Sequence, residues 1–190
     1  MNNNKLTINA FLFDDFTSLD LFAPIELLSR LDNVKFVYLS LGGKEIKSAQ
    51  GCVIKTNDFS AFVKDSILLI PGGLGTRALV DDEVIINSLQ NLAQKSSFVL
   101  CVCTASALLA KTSHLNGKKA TSNKKAFEWV KSQNSSVLWQ ENVRFVKDGN
   151  IYTSAGVSAG LDMTLEFIKD NYGLNKAKEI AQIIEYDFKG

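Results

Sequence analysis

Four short runs, at residues 6–12, 35–41, 67–70 and 98–102, are largely apolar at successive positions, so as strands they need cover on both faces. Between them the apolar residues change to helical spacing. Leu19, Phe22, Ala23, Leu27, Leu28 and Leu31 form one stripe over residues 19–31, and Val84, Ile85, Leu89 and Leu92 form another over 82–96. Buried strands alternating with amphipathic helices predict a parallel sheet between helical layers. The last third is patterned differently. Residues 143–146 and 151–154 flank Asp148-Gly149-Asn150, which predicts a hairpin, and helical patterns follow over 161–171 and 176–186. The expected fold is α/β: a flavodoxin-like three-layer sandwich with a mostly parallel central sheet and a small added β-hairpin. No repeat, low-complexity stretch or linker divides the 190 residues, so one domain over 1–190 is expected.

Charge and cysteine content narrow the function classes. A formal charge of +1 with no basic tail gives no electrostatic reason for nucleic-acid or membrane-surface binding. The densest basic spots, Lys118-Lys119 and Lys124-Lys125, read as solvated faces. Residues 1–5 are polar, with no signal-peptide core, and no apolar stretch approaches about 18 residues. Cys52, Cys101 and Cys103 are few and odd in number, which suits reduced thiols in the cytoplasm. One histidine, His114, and a Cys-x-Cys spacing do not make a zinc site. No metal or cofactor is expected.

Sheets of this kind bind ligands outside the C-terminal ends of their strands, and three motifs fall there. In Val102-Cys103-Thr104-Ala105-Ser106-Ala107 a buried strand runs directly into a small-residue helix. That is the layout of a nucleophile elbow with Cys103 at the nucleophile position, although the glycines two residues to either side are replaced by Cys101 and Ala105. A helix N-terminus is expected to lower the thiol pKa; the alternative is a buried structural cysteine. In Ile70-Pro71-Gly72-Gly73-Leu74-Gly75 a second strand ends in glycines that allow close backbone approach. The N–H groups of Gly73 and Thr104 could there form an oxyanion-binding pair, though a plain tight turn explains the residues as well. The third motif is Leu19-Asp20-Leu21-Phe22-Ala23-Pro24-Ile25-Glu26. Asp20 is either an ordinary helix-start acid or a carboxylate at the same sheet edge as Cys103. Glu26 could point inward or contact a second copy. Pro24 implies a helix beginning near Ala23, or a kinked one.

Taken together, Ile70-Pro71-Gly72-Gly73-x-Gly75, Val102-Cys103-Thr104, Leu115-Asn116-Gly117-x-x-Ala120-Thr121, Ala155-Gly156-Val157-Ser158-Ala159-Gly160-Leu161-Asp162 and Glu185-Tyr186-Asp187 resemble the ThiJ/PfpI superfamily from about residue 6 to 186. Leu19-Asp20-Leu21-x-x-Pro24-x-Glu26 is most similar to its isonitrile hydratase branch, which also contains domains fused to AraC-type regulators. With Gly190 close behind Glu185-Tyr186-Asp187, an appended helix-turn-helix region is not expected.

The resemblance assigns the nucleophile to Cys103, its neighbouring hydroxyl to Thr104 and the acidic partner to Asp20. The glycine turn itself makes Gly72, Gly73 and Gly75 candidate oxyanion and substrate-binding positions, with Asn123 a candidate pocket residue. Many relatives carry a histidine where this chain has Thr104 or Asn123, and His114 is expected only to cap or lie exposed. A Cys-His triad is therefore disfavoured.

The implied reaction is hydration of an isonitrile to an N-substituted formamide. Cys103 attacks the terminal carbon, the nitrogen side is protonated, water resolves the thioimidate, and Asp20 moves the proton. Two other readings are a cysteine-based stress or redox protein with glyoxalase- or deglycase-type activity, and a non-catalytic small-molecule-binding domain. The partners implied are a small-molecule substrate and a second copy of the chain, as a homodimer.

Overall fold

A computed structural model of the chain describes residues 5–190; residues 1–4, most of the stretch read as lacking a signal core, lie outside the described residues. The elements in chain order are β1 (Leu6–Phe11), α1 (Ser18–Leu28), β2 (Val34–Ser40), β3 (Glu45–Lys47), β4 (Val53–Lys55), β5 (Asn57–Asp58), β6 (Ile67–Ile70), α2 (Thr76–Leu79), α3 (Glu83–Gln94), β7 (Phe98–Val102), α4 (Ala105–Lys111), β8 (Lys119–Ala120), α5 (Phe127–Ser132), β9 (Leu138–Trp139), β10 (Phe145–Asp148), β11 (Ile151–Ser154), α6 (Ala159–Tyr172) and α7 (Leu174–Ile183). Each of the four apolar runs forms a strand.

The main sheet has the order β10-β11-β7-β6-β1-β2-β5 and is parallel except where β10 meets β11. The helices form two groups, α1 with α6 and α7, and α4 with α2, α3 and α5. Right-handed crossovers account for this division. The chain leaves β1 toward β2 on one side and resumes at β6 on the other, which places the helices of the two halves on opposite faces.

Burial explains the apolar runs. Leu68, Leu69, Ile70, Leu100, Cys101 and Val102 are wholly enclosed between the helical layers. The start of α3 is fixed by Asp82, whose carboxylate accepts the N–H groups of Val84 and Ile85 at 3.0 and 3.1 Å. Such a cap stabilises a helix by about 1 kcal/mol.

The expected hairpin forms: β10 pairs antiparallel with β11, and because β11 pairs in parallel with β7 it extends the main sheet with β10 at its edge. A second antiparallel pair, β3–β4, lies outside that sheet. One reading of the first helix is corrected. Helix α1 begins at Ser18, not near Ala23, and runs on through Pro24. The proline lacks an N–H to give the Asp20 carbonyl, a loss offset by its burial beside Gly160 of α6.

Replacing Leu100, in the middle of β7, by alanine should lower the unfolding free energy by about 3 kcal/mol. A urea titration would read this as a lower midpoint at unchanged slope.

Candidate active site

The crevice at which the sheet reverses direction lies beyond the C-terminal ends of β1 and β6, where ligands bind in folds of this type. The segments after β1, β6, β7 and β11 converge there. They supply Asp20, Gly72 with Gly73, Cys103, and Gly156 respectively.

Cys103 has φ of 60°, the left-handed conformation of an elbow. A non-glycine residue held there costs about 1–2 kcal/mol, so its surroundings must enforce it. Its N–H donates to the Ser154 carbonyl at 3.0 Å. Its carbonyl accepts the hydroxyls of Ser106 at 3.1 Å and Ser122 at 2.9 Å, both buried. Room for the turn comes from neighbouring loops. A Cβ on Gly72 would stand 2.7 Å from the Cys103 Cβ, and one on Gly156, at φ of 100°, would stand 2.7 Å from Sγ. Real Cβ atoms do not approach so closely, and only glycine fits at either place. The two glycines missing from the local elbow motif are therefore supplied by the ends of β6 and β11.

Asp20 lies in the first turn of α1 with no exposed surface. Its Oδ2 accepts the Gly72 N–H at 3.1 Å, while Oδ1 has no partner at hydrogen-bond geometry. Among the described residues only Ser154 Oγ shares that condition, and Ser154 adjoins Cys103 through its carbonyl. Burial raises the Asp20 pKa to about 6, against the opposing pull of the Gly72 N–H, the nearby thiol and the Val157 N–H.

The Cys103 thiol, only 7% exposed, is pushed up to about 12, first by burial and then by the negative charge of Asp20. The N–H and hydroxyl of Thr104 oppose this. The expectation that the helix lowers the thiol pKa is thus overturned. A seven-residue α4 cannot offset removal from water next to a carboxylate. At neutral pH the site holds a thiol facing a largely ionised Asp20.

The remaining predicted positions separate. Gly73 donates its N–H to Thr104 Oγ1 at 3.0 Å, so this amide is engaged and does not form a free pair with that of Thr104. Gly75 packs against the Asp14 carbonyl on the β1 loop, where any Cβ would collide, and takes no part beside the thiol. Asn123 is turned to its own chain, with Oδ1 accepting the Lys125 N–H at 3.0 Å. Its neighbour Ser122 is the residue that reaches the elbow. His114 stands at the end of α4 with Nδ1 3.0 Å from Thr112 Oγ1. Glu26 is exposed and paired with Arg30 on its own helix. Cys101 is enclosed and Cys52 is exposed. Gly156 and Val157 carry no signal in the sequence beyond the family resemblance, and only the turn after β11 brings them beside Sγ and Asp20. No group of three or more His, Cys, Asp or Glu suited to a metal occurs among the described residues.

An α/β sheet with a cysteine elbow and a buried acid at its switch point defines a class of proteins, and residues 7–170 match the DJ-1/PfpI family. The chain belongs to that family. It is 29% identical to the isonitrile hydratase of Pseudomonas putida over 184 residues, covering 95% of this chain and 78% of that one. A solved ThiJ/PfpI family protein from Pseudomonas syringae superposes with a TM-score of 0.86 at 25% identity, covering 98% of this chain and 77% of the other. Drosophila melanogaster DJ-1beta superposes at 0.82 with 21% identity, covering 97% and 100%.

The raised Asp20 pKa carries a definite sign. The folded state prefers the protonated carboxyl, so its contribution to stability is fully present below the ordinary value of 3.8 and is lost as pH rises through about 6. The loss amounts to about 3 kcal/mol. Thermal melts between pH 4 and 7 should show this decline in the native chain and its absence in Asp20→Asn.

Proposed function

We infer that the protein hydrates an isonitrile to an N-substituted formamide through a covalent intermediate on Cys103. The observation that carries this reading is the buried Asp20 carboxylate beside a protonated thiol, with the single histidine held at the far end of α4. An acid–base group with a pKa near 6 is suited to taking and returning a proton at neutral pH. The likeness to an isonitrile hydratase over 95% of the chain supports the same reading.

The steps balance with these groups alone. Asp20 takes the thiol proton as sulfur attacks the terminal carbon. The electron pair then lies on that carbon, so the first proton goes to carbon and not, as expected from the sequence, to the nitrogen side. The product is a thioimidate, R–N=CH–S–Cys103. Asp20, having returned the first proton to carbon, next accepts a proton from the attacking water and passes it to the nitrogen, giving R–NH–CH(OH)–S–Cys103. As the C–S bond breaks, the hydroxyl proton moves through Asp20 to the departing sulfur, and R–NH–CHO is released. No amine leaves at any step, so no imidazole is needed to protonate one. Thr104, with its N–H and hydroxyl toward the sulfur, stabilises the thiolate as it forms and leaves.

The redox reading draws less support. Oxidation to sulfinic acid begins from an accessible thiolate, whereas this thiol is enclosed and its pKa is raised. The homodimer belongs to the same proposal and is supported by the exposed apolar residues Leu19 and Phe22 of α1. Phe22→Glu should convert a dimer to a monomer in sedimentation velocity.

Turnover of a panel of alkyl and aryl isonitriles, followed by formamide release, tests the reaction. Cys103→Ala should abolish it. Asp20→Asn should slow it by about 10²–10⁴-fold. The same variant should alkylate faster with iodoacetamide, because the negative charge that adds to burial in holding the thiol protonated is gone. An inert native protein, or a Cys103→Ala variant with full activity, removes this function.

A further inference from the structure

We propose that Arg144, Asp162 and Tyr186 form a latch that holds the 155–158 loop closed over Cys103, and that releasing it admits compounds to the sulfur. The loop is the cover. Gly156 lies against Sγ, the Val157 N–H points toward Asp20, and the sulfur's residue is 7% exposed. Val157 is itself strained, a β-branched residue at φ of 33°. Such a conformation persists only where surrounding contacts impose it.

Those contacts come from one arginine and its partners. The Arg144 carbonyl accepts the Ala155 N–H at 2.8 Å, fixing the start of the loop. Its guanidinium reaches Ser158 Oγ at 3.3 Å, fixing the end, and pairs with Asp162 in the first turn of α6. Asp162 Oδ1 in turn accepts the Tyr186 hydroxyl at 2.7 Å.

The position of Tyr186 is set by the end of α7. Glu185 adopts the left-handed conformation at φ of 53°, with its N–H on the Gln182 carbonyl at 3.1 Å. The Tyr186 N–H bonds the Ala181 carbonyl at 2.9 Å. This paired closure ends the helix and turns the chain back onto α6. The Glu185-Tyr186-Asp187 motif thus has a role at the site although it lies far from Cys103 in sequence. The active-site loop and the C-terminal segment are joined through two side chains, both partly accessible to solvent. Local opening of such a unit requires far less than global unfolding.

The inference does not depend on which compound the thiol takes, and the chain's three cysteines provide the assay. Cys52 is exposed and sets the reagent reference, while Cys101 is enclosed in β7 and reports global opening. N-ethylmaleimide labelling would be read at each cysteine by peptide mass spectrometry in Tyr186→Phe and Arg144→Gln. Tyr186→Phe should label Cys103 about tenfold faster relative to Cys52, the change expected from losing one charge-assisted hydrogen bond, and Arg144→Gln, which loses its contacts to both Asp162 and Ser158, at least as much. Cys101 should stay unlabelled.

Tyr152→Phe is the control. It removes a hydroxyl bonded at 2.8 Å to Asp170, near the other end of the same helix α6, and should leave the ratio unchanged. An unchanged Cys103 rate in the latch variants overturns the proposal. So does a rise shared with Cys101, or a rise of equal size in Tyr152→Phe.

Discussion

The backbone of Cys103 is bent into a conformation that its own side chain opposes, and much of the surrounding structure serves to keep it there. Strand β7 delivers the residue, Ser154 takes its N–H, and Ser106 and Ser122 take its carbonyl. Gly72 and Gly156 leave the space into which its Cβ and sulfur turn. These groups come from four parts of the chain. The turn is therefore as stable as the sheet that aligns those parts, and the apolar core bears its cost.

The same enclosure determines the chemistry. Withdrawal from water raises both the carboxyl of Asp20 and the thiol of Cys103, and their proximity favours sharing one proton over two separate charges. A thiol in this state is a poor nucleophile at rest. In the proposed reaction it becomes a good one as its proton passes to Asp20. That coupling separates this site from thiols kept as thiolates by an imidazole or a helix N-terminus. It also accounts for an acid buried without an arginine or lysine partner: Asp20 is ionised at neutral pH at a cost that the Gly72 N–H offsets only in part.

Much of the scaffold was legible in the chain because burial on two faces leaves a mark at every position of a strand. Residues 67–70 and 98–102 coincide with β6 and β7, and Asp82 marks the start of α3. The short edge strand β5 and the separate pair β8–β9 were not legible, since two residues carry no period. Pro24 left a start near Ala23 or a kink open, and only the structure excludes that start, because the missing N–H is tolerated once the ring is buried against α6. Within the site, Cys103, Asp20 and Thr104 were readable from type and position. Gly75 and Asn123 read the same way in sequence, because a glycine needed for packing and an amide capping its own turn look like ligand contacts until the fold shows their partners.

The amino-acid sequence by itself determined the layered α/β architecture and placed a cysteine at a strand–helix junction, for both follow from local pattern and short-range sterics. Only the tertiary structure decided that this cysteine is a protonated thiol facing a buried carboxylate. A pKa depends on what excludes water and on which charges stand near, and here those are contributed by Asp20, Gly72 and Gly156 from distant segments. The place of Tyr186 against α6 has the same origin: the left-handed turn at Glu185 aims it at Asp162, a residue 24 positions earlier.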